Sequence, residues 1–200
     1  AEAQTVGLQL ELEITTIKQA LTVLQTLPDP LYLSVNASAS TIESGQLRSV
    51  FNDWPMDRIV LELTEHEAVG NYDALMLELD LLRERGIRIA IDDAGAGYAG
   101  LQQIVRLQPD IIKLDMSLTS RIDQDIVRRS LASALQKFAF DTNAVIIAEG
   151  VETAEEFATL KAMNVDLMQG YYLGRPSTVE KALAICPAMM PSAPPAQAAS

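Results

Sequence analysis

Six short aliphatic runs recur along this chain, and each closes on polar residues. They read YLSVN (residues 32–36), IVLELTE (59–65), IRIAIDD (87–93), IIKLD (111–115), VIIAEG (145–150) and DLMQGY (166–171). Brief runs rich in Ile, Leu and Val are what a parallel strand covered on both faces demands. Helical patterns lie between them. Residues 8–27 form an amphipathic stretch closed by Pro28, and residues 72–85 place Leu75, Leu79 and Leu82 on one face with Gly86 as the cap. Residues 123–140 form a third helix, and 153–163 a fourth that opens with the capping-box pair Thr153 and Glu156.

The alternation repeats at the length of one right-handed βα unit, with no antiparallel hairpin, and therefore specifies a parallel α/β fold. A doubly wound sheet would gather its ligand residues near one switch point. Here Asn36, Glu62, Glu65, Asp92, Asp93, Lys113, Asp115, Glu149 and Gln169 come from all six runs, near their C-terminal ends. That distribution is how a TIM-like (β/α)8 barrel assembles a site. Six strands cannot close such a barrel. The opening strands are expected to be missing from this chain, which starts without a methionine just ahead of its first helix.

Composition narrows the chemistry. With 27 acidic residues against 15 basic ones, the net charge is −12, which argues against a DNA- or RNA-binding face. A phosphate-bearing ligand remains open to an acidic pocket, because bound cations dominate the local field. Cys186 is the only cysteine and His66 the only histidine, which excludes a disulfide framework and a multi-histidine zinc site. No apolar run is long enough to span a membrane and no signal peptide opens the sequence, so the expected compartment is the cytoplasm. A single domain over residues 1–186 is expected, followed by a disordered Pro- and Ala-rich tail over 187–200.

The polar residues have both structural and chemical readings. Glu62 shares an alternation face with Thr64 inside a run of leucines, where a carboxylate must be paired, neutral or metal-bound; Glu65 falls at the strand end or in the loop. Asp92 and Asp93 are adjacent carboxylates whose repulsion a shared cation relieves, although helix caps look similar. The stretch over residues 94–100, AGAGYAG, lacks the full signature of a phosphate cradle and reads as a loop over the site. Lys113 is expected to hold a water or balance phosphate charge, and to pair with Asp115 on the same alternation face. Glu149 ends an apolar run, Glu152 falls in the following turn, and Gln169 offers an amide to orient a ligand or water. His66 reads as a surface or packing residue. An all-oxygen donor set suits Mg²⁺ or Mn²⁺, and two such ions would suit hydrolysis of a phosphodiester.

The ordered motifs SVNAS (34–38), ELTE (62–65), DDAGAGY (92–98), KLD (113–115), AEGVET (148–153) and QGYYLGRP (169–176) resemble those of the EAL domain family, the bacterial cyclic-di-GMP phosphodiesterases. The resemblance implies a TIM-like barrel with two Mg²⁺ or Mn²⁺ ions that hydrolyses cyclic-di-GMP to linear pGpG. By motif position it implies that Asn36, Glu62 and Asp92 bind one metal, and that Asp92 bridges to a second held with Asp93 and Glu149. Lys113 would contact the attacking water, with Gln169 and Glu152 supporting the second-metal region and Asp115 and Arg175 supporting the substrate. Glu65 would anchor the loop after Asp93, which the family uses in homodimerisation and regulation. An upstream sensory or regulatory domain is expected.

Departures qualify this expectation. The glutamate of the EAL tripeptide has no counterpart in these 200 residues, so this chain by itself is expected to be weak or inactive and the intact protein competent. Ala94 and Ala96 stand where the family usually has Phe and Thr, and Leu173 and Gly174 replace a frequent Phe and Ser. The alternative reading is a degenerate barrel that serves as a cyclic-di-GMP receptor or protein-interaction module.

Overall fold

The computed structural model describes residues 8–64, 69–95, 98–165 and 167–189. Its strands are β1 (Leu33–Asn36), β2 (Ile59–Thr64), β3 (Arg88–Ala94), β4 (Ile111–Leu114), β5 (Val145–Ala148) and β6 (Leu167–Met168). They form one sheet in chain order, and every neighbouring pair is parallel. An order that never reverses is that of a barrel; a doubly wound sheet would turn back at its switch point. The described residues thus supply six strands of a TIM-like barrel.

The helices are α1 (Gln9–Leu21), α2 (Ala39–Glu43), α3 (Leu47–Phe51), α4 (Tyr72–Arg83), α5 (Tyr98–Leu107), α6 (Met116–Thr119), α7 (Ile126–Thr142), α8 (Ala154–Ala162) and α9 (Val179–Met189). Local chemistry sets several of their ends. Asn71 caps α4 by accepting from the N–H groups of Asp73 and Ala74, and Asp125 caps α7 in the same way through Val127 and Arg128. Gly86 follows α4 as expected, donating to Arg83 while Ile87 donates to Leu82.

Some elements differ from the pattern read in the sequence. The stretch over 94–100 is not all loop, because Ala94 ends β3 and α5 begins at Tyr98. Residues expected at the end of the last strand lie past β6, which holds only Leu167 and Met168. The final helix runs to Met189, beyond the tail boundary placed at Pro187, while residues 190–200 lie outside the described residues.

Strand parity sorts the core into two faces. Leu61, Ile89, Ile91, Ile112, Leu114 and Ile146 face the helices and pack with Ile17, Leu21, Leu75, Leu79 and Leu82 in the main core. The opposite face carries a smaller cluster of Val60, Ala90 and Ile111, with Ile147 against it. Two residues further along each of these four strands, on that same face, stand Glu62, Asp92, Lys113 and Glu149. An apolar layer therefore floors a charged one.

Candidate active site at the strand ends

The charged layer is organised around Lys113. Its ammonium donates to Glu62 Oε2 at 2.8 Å and lies 2.9 Å from both Asp92 Oδ1 and Glu149 Oε1. The lysine is only 8% exposed and Glu62 only 7%, so these charges meet in a region where water screens them little. Burial works against the Lys113 ammonium, yet the bonds to Glu149, Glu62 and Asp92 outweigh it and hold its pKa above the ordinary lysine value. Glu149 moves upward as well: burial lifts it, Lys113 pulls it back, and repulsion from Asp92 and Glu62 completes the rise. One cation shared among three carboxylates leaves the site in need of further positive charge.

A bulge explains how adjacent Asp92 and Asp93 both reach this site. The β3–β4 register runs Ala90 to Ile111 and Ile91 to Ile112, then jumps to Ala94 opposite Leu114. Two residues of β3 thus oppose the single Lys113, the signature of a β-bulge. Strict alternation would send Asp93 to the helix side. Instead it takes φ +57°, a left-handed conformation that aspartate tolerates better than most residues. Asp92, Asp93 and Glu149 each present a carboxylate oxygen, and the three lie within 4.8 Å of one another. Among the described residues no other trio of acidic, histidine or cysteine groups is so gathered. A close set of half-buried oxygen donors with excess negative charge fits a hard divalent cation such as Mg²⁺ or Mn²⁺.

The remaining expected residues surround this trio. A cavity of about 440 Å³ is lined by Asp93, Asp115, Met116, Glu149, Gly150, Glu152, Gln169, Gly170 and Tyr171. Glu152 and Gln169 are exposed on it, and the Gln169 main chain is tied to both Ala148 and Val151. Arg175 stacks on the Tyr171 ring at 4.4 Å rather than joining the lining. Asn36 ends β1 opposite Glu62. Glu65 and His66 lie outside the described residues.

Asp115 requires a correction. The expected pair with Lys113 does not form, because β4 ends at Leu114 and Asp115 turns away as the N-cap of α6, accepting from Ser117 N–H at 2.8 Å. Other residues of the site carried no strong signal. Thr119 is a fully buried hydroxyl that donates to the Glu149 carbonyl, and nothing in MSLT marks it. Two glycines permit close backbone approach. Gly150 has φ +66°, and a Cβ there would stand 2.5 Å from that of Met116; at Gly170 it would stand 2.1 Å from the Val151 carbonyl oxygen.

A family profile described as the EAL domain matches residues 1–176. The chain belongs to the EAL domain family. It is 33% identical over 168 residues to the Escherichia coli K12 protein named "Probable cyclic di-GMP phosphodiesterase PdeG", covering 80% of this chain and 33% of that relative. Among solved structures, this EAL chain resembles Klebsiella pneumoniae BlrP1 in a manganese and cyclic-di-GMP complex, with TM-score 0.76 and 29% identity over 84% of this chain and 45% of that one. It also resembles a standalone EAL protein from Vibrio cholerae O395 with cyclic-di-GMP bound, with TM-score 0.71 and 31% identity over 85% and 75% of the two chains. The chain therefore spans about a third of the length of the curated relative. No helix among the described residues is long and apolar enough to cross a membrane.

Proposed function

We propose that the intact protein carrying this EAL domain hydrolyses cyclic-di-GMP to linear pGpG with two Mg²⁺ or Mn²⁺ ions. The observation that carries this reading is the Asp92, Asp93 and Glu149 trio set beside Lys113, with Asp93 and Glu149 lining a cavity about 440 Å³ in volume. Asp92 would be shared between the ions, with Asn36 and Glu62 on one side and Asp93 and Glu149 on the other. Bound there, the ions supply Lewis acidity toward a phosphoryl oxygen and lower the pKa of a water.

The protein's own groups account for the rest. In the overall reaction the oxygen of a water bonds to phosphorus, the P–O3′ bond breaks, and a proton ends on the released 3′-hydroxyl. Lys113, held protonated, supplies a positive charge for the phosphate and would turn one of its three N–H groups, now on Glu62, Asp92 and Glu149, toward that water. Glu152 and Gln169 orient groups across the cavity, while Asp115 and Arg175 border the substrate. The short reach of this chain along its curated relative supports an accompanying regulatory domain in the whole protein, and a cytoplasmic location is part of the same reading. A homodimer formed through the loop after Asp93 would couple that regulation to the bulge.

The test is release of pGpG from cyclic-di-GMP by the intact protein in Mn²⁺ or Mg²⁺, with Glu62→Ala as control. Metal-dependent turnover that disappears in the control supports the proposal. Tight binding without turnover would instead make the domain a receptor.

A further inference from the structure

The cavity draws its lining from four pieces of chain, two of them being Asp93 on β3 and the residues Gln169, Gly170 and Tyr171 after β6. Asp115 and Met116 come from the turn after β4, whereas Glu149, Gly150 and Glu152 come from the turn after β5. Below them sits Glu156, which is 5% exposed, takes no part in the lining and has no ion pair among the described residues. Its two oxygens do different things. Oε2 accepts from the N–H groups of Glu152 at 2.9 Å and Thr153 at 3.1 Å, completing the capping box of α8. Oε1 reaches across to the segment that follows α6 on the β4 side and accepts from Arg121 N–H at 2.8 Å.

A cap alone does not require a buried charge, since Asn71 caps α4 from an exposed position. The second oxygen explains the burial. Burial by itself would raise the Glu156 pKa, but the N–H groups of Arg121, Glu152 and Thr153 hold it below the ordinary glutamate value, so the group stays an acceptor. Arg121 takes φ +55° where it meets this carboxylate. Thr119, at the end of α6, is also tied across, donating to the Glu149 carbonyl. The Glu156 bond ties the same segment two residues further on.

We propose that Glu156 is a positioning residue that sets the width of the cleft between the two turns and thereby the affinity for the dinucleotide. This rests on the cyclic-di-GMP reading above. Glu156→Gln separates its two duties. The amide oxygen can keep both N–H groups of the cap, leaving the NH₂ against Arg121 N–H and breaking only the link between turns.

Binding of cyclic-di-GMP measured by calorimetry in Ca²⁺, binding of Mn²⁺ alone, thermal melting and amide hydrogen exchange together test the idea. Glu156→Gln should weaken the dinucleotide about tenfold, leave Mn²⁺ affinity near wild type with a smaller fall in melting temperature than Glu156→Ala, and release protection at Arg121 but not at Glu152 or Thr153. Glu156→Ala should also lose the cap and melt lower. Unchanged dinucleotide affinity in Glu156→Gln overturns the proposal, as does a joint fall of both affinities with the melting temperature. If the wild type binds no dinucleotide, the functional reading fails instead, and retained protection at Arg121 in Glu156→Gln would still refute the link between turns.

Discussion

Replacing Lys113 with methionine should destabilise the metal-free domain, and the structure sets the size of the effect. Methionine roughly conserves volume, so the floor of Val60, Ala90 and Ile111 stays covered. What disappears is the cation within 2.9 Å of Glu62, Asp92 and Glu149. Removing one partner from a buried ionic cluster costs about 3–5 kcal/mol. For a domain of this size that is a fall of roughly 6–20 °C in melting temperature.

The loss should depend on pH in a definite direction. Without the ammonium, Glu149 loses the partner that pulls its pKa down, so its folded-state value rises further in the direction it already takes. Protons then favour the folded state, so the deficit is largest above that raised value and shrinks as pH falls through it. Melting followed by circular dichroism at pH 8 and pH 5, with and without Mn²⁺, measures this. At a hundredfold excess over Kd, the metal should return about 2.7 kcal/mol. A variant that melts within about 2 °C of wild type without metal, or that is helped less by Mn²⁺ than wild type, would refute the view of Lys113 as the site's structural cation.

Two further predictions follow from neighbouring features. Gly150→Ala forces a side chain into a left-handed conformation and against Met116, so it should cost about 1–3 kcal/mol in urea denaturation and displace Glu149 enough to weaken Mn²⁺ binding. Glu13 on α1 is half-buried, and although burial pushes its pKa up, the Ser38 main chain and the Gln9, Thr41 and Ser38 side chains hold it below the ordinary value. A depressed folded pKa gives stability that is present above the unfolded value and lost as pH falls through the folded one. Urea midpoints for wild type and Glu13→Gln should therefore differ at pH 7 and converge in acid, and a gap that persists in acid would disprove this role.

The alternation of residues carried much of this in the sequence. Glu62, Asp92, Lys113 and Glu149 share a face because β-strands repeat every two residues, and that rule needs no knowledge of neighbours. Asp93 is different. Its presence in the site depends on a bulge set by the register between β3 and β4, a property of two strands together that neither displays alone. Asp115 was misread for a related reason: like Glu149 it lies one residue past its strand, but unlike Glu149 it turns away to cap α6. The short α6 and the Thr119 contact stayed hidden because they depend on tertiary packing, which four residues of helix cannot signal by periodicity. In Glu156 the local capping box was legible, but its second partner lies 35 residues away in the chain.

The bulge in β3 has an effect on how this site can change over mutational time. A loop could supply adjacent acids too, but it would have to freeze its backbone on each binding event, whereas here hydrogen-bonded neighbours hold the strand on both sides. Deleting either Asp92 or Asp93 would let regular pairing close over the gap and draw everything after it back by one position. The acid count, the aim of the survivor and the start of the Gly95 turn would all change at once. Substitution can tune this centre in small steps, but insertion or deletion at the bulge can only switch it off.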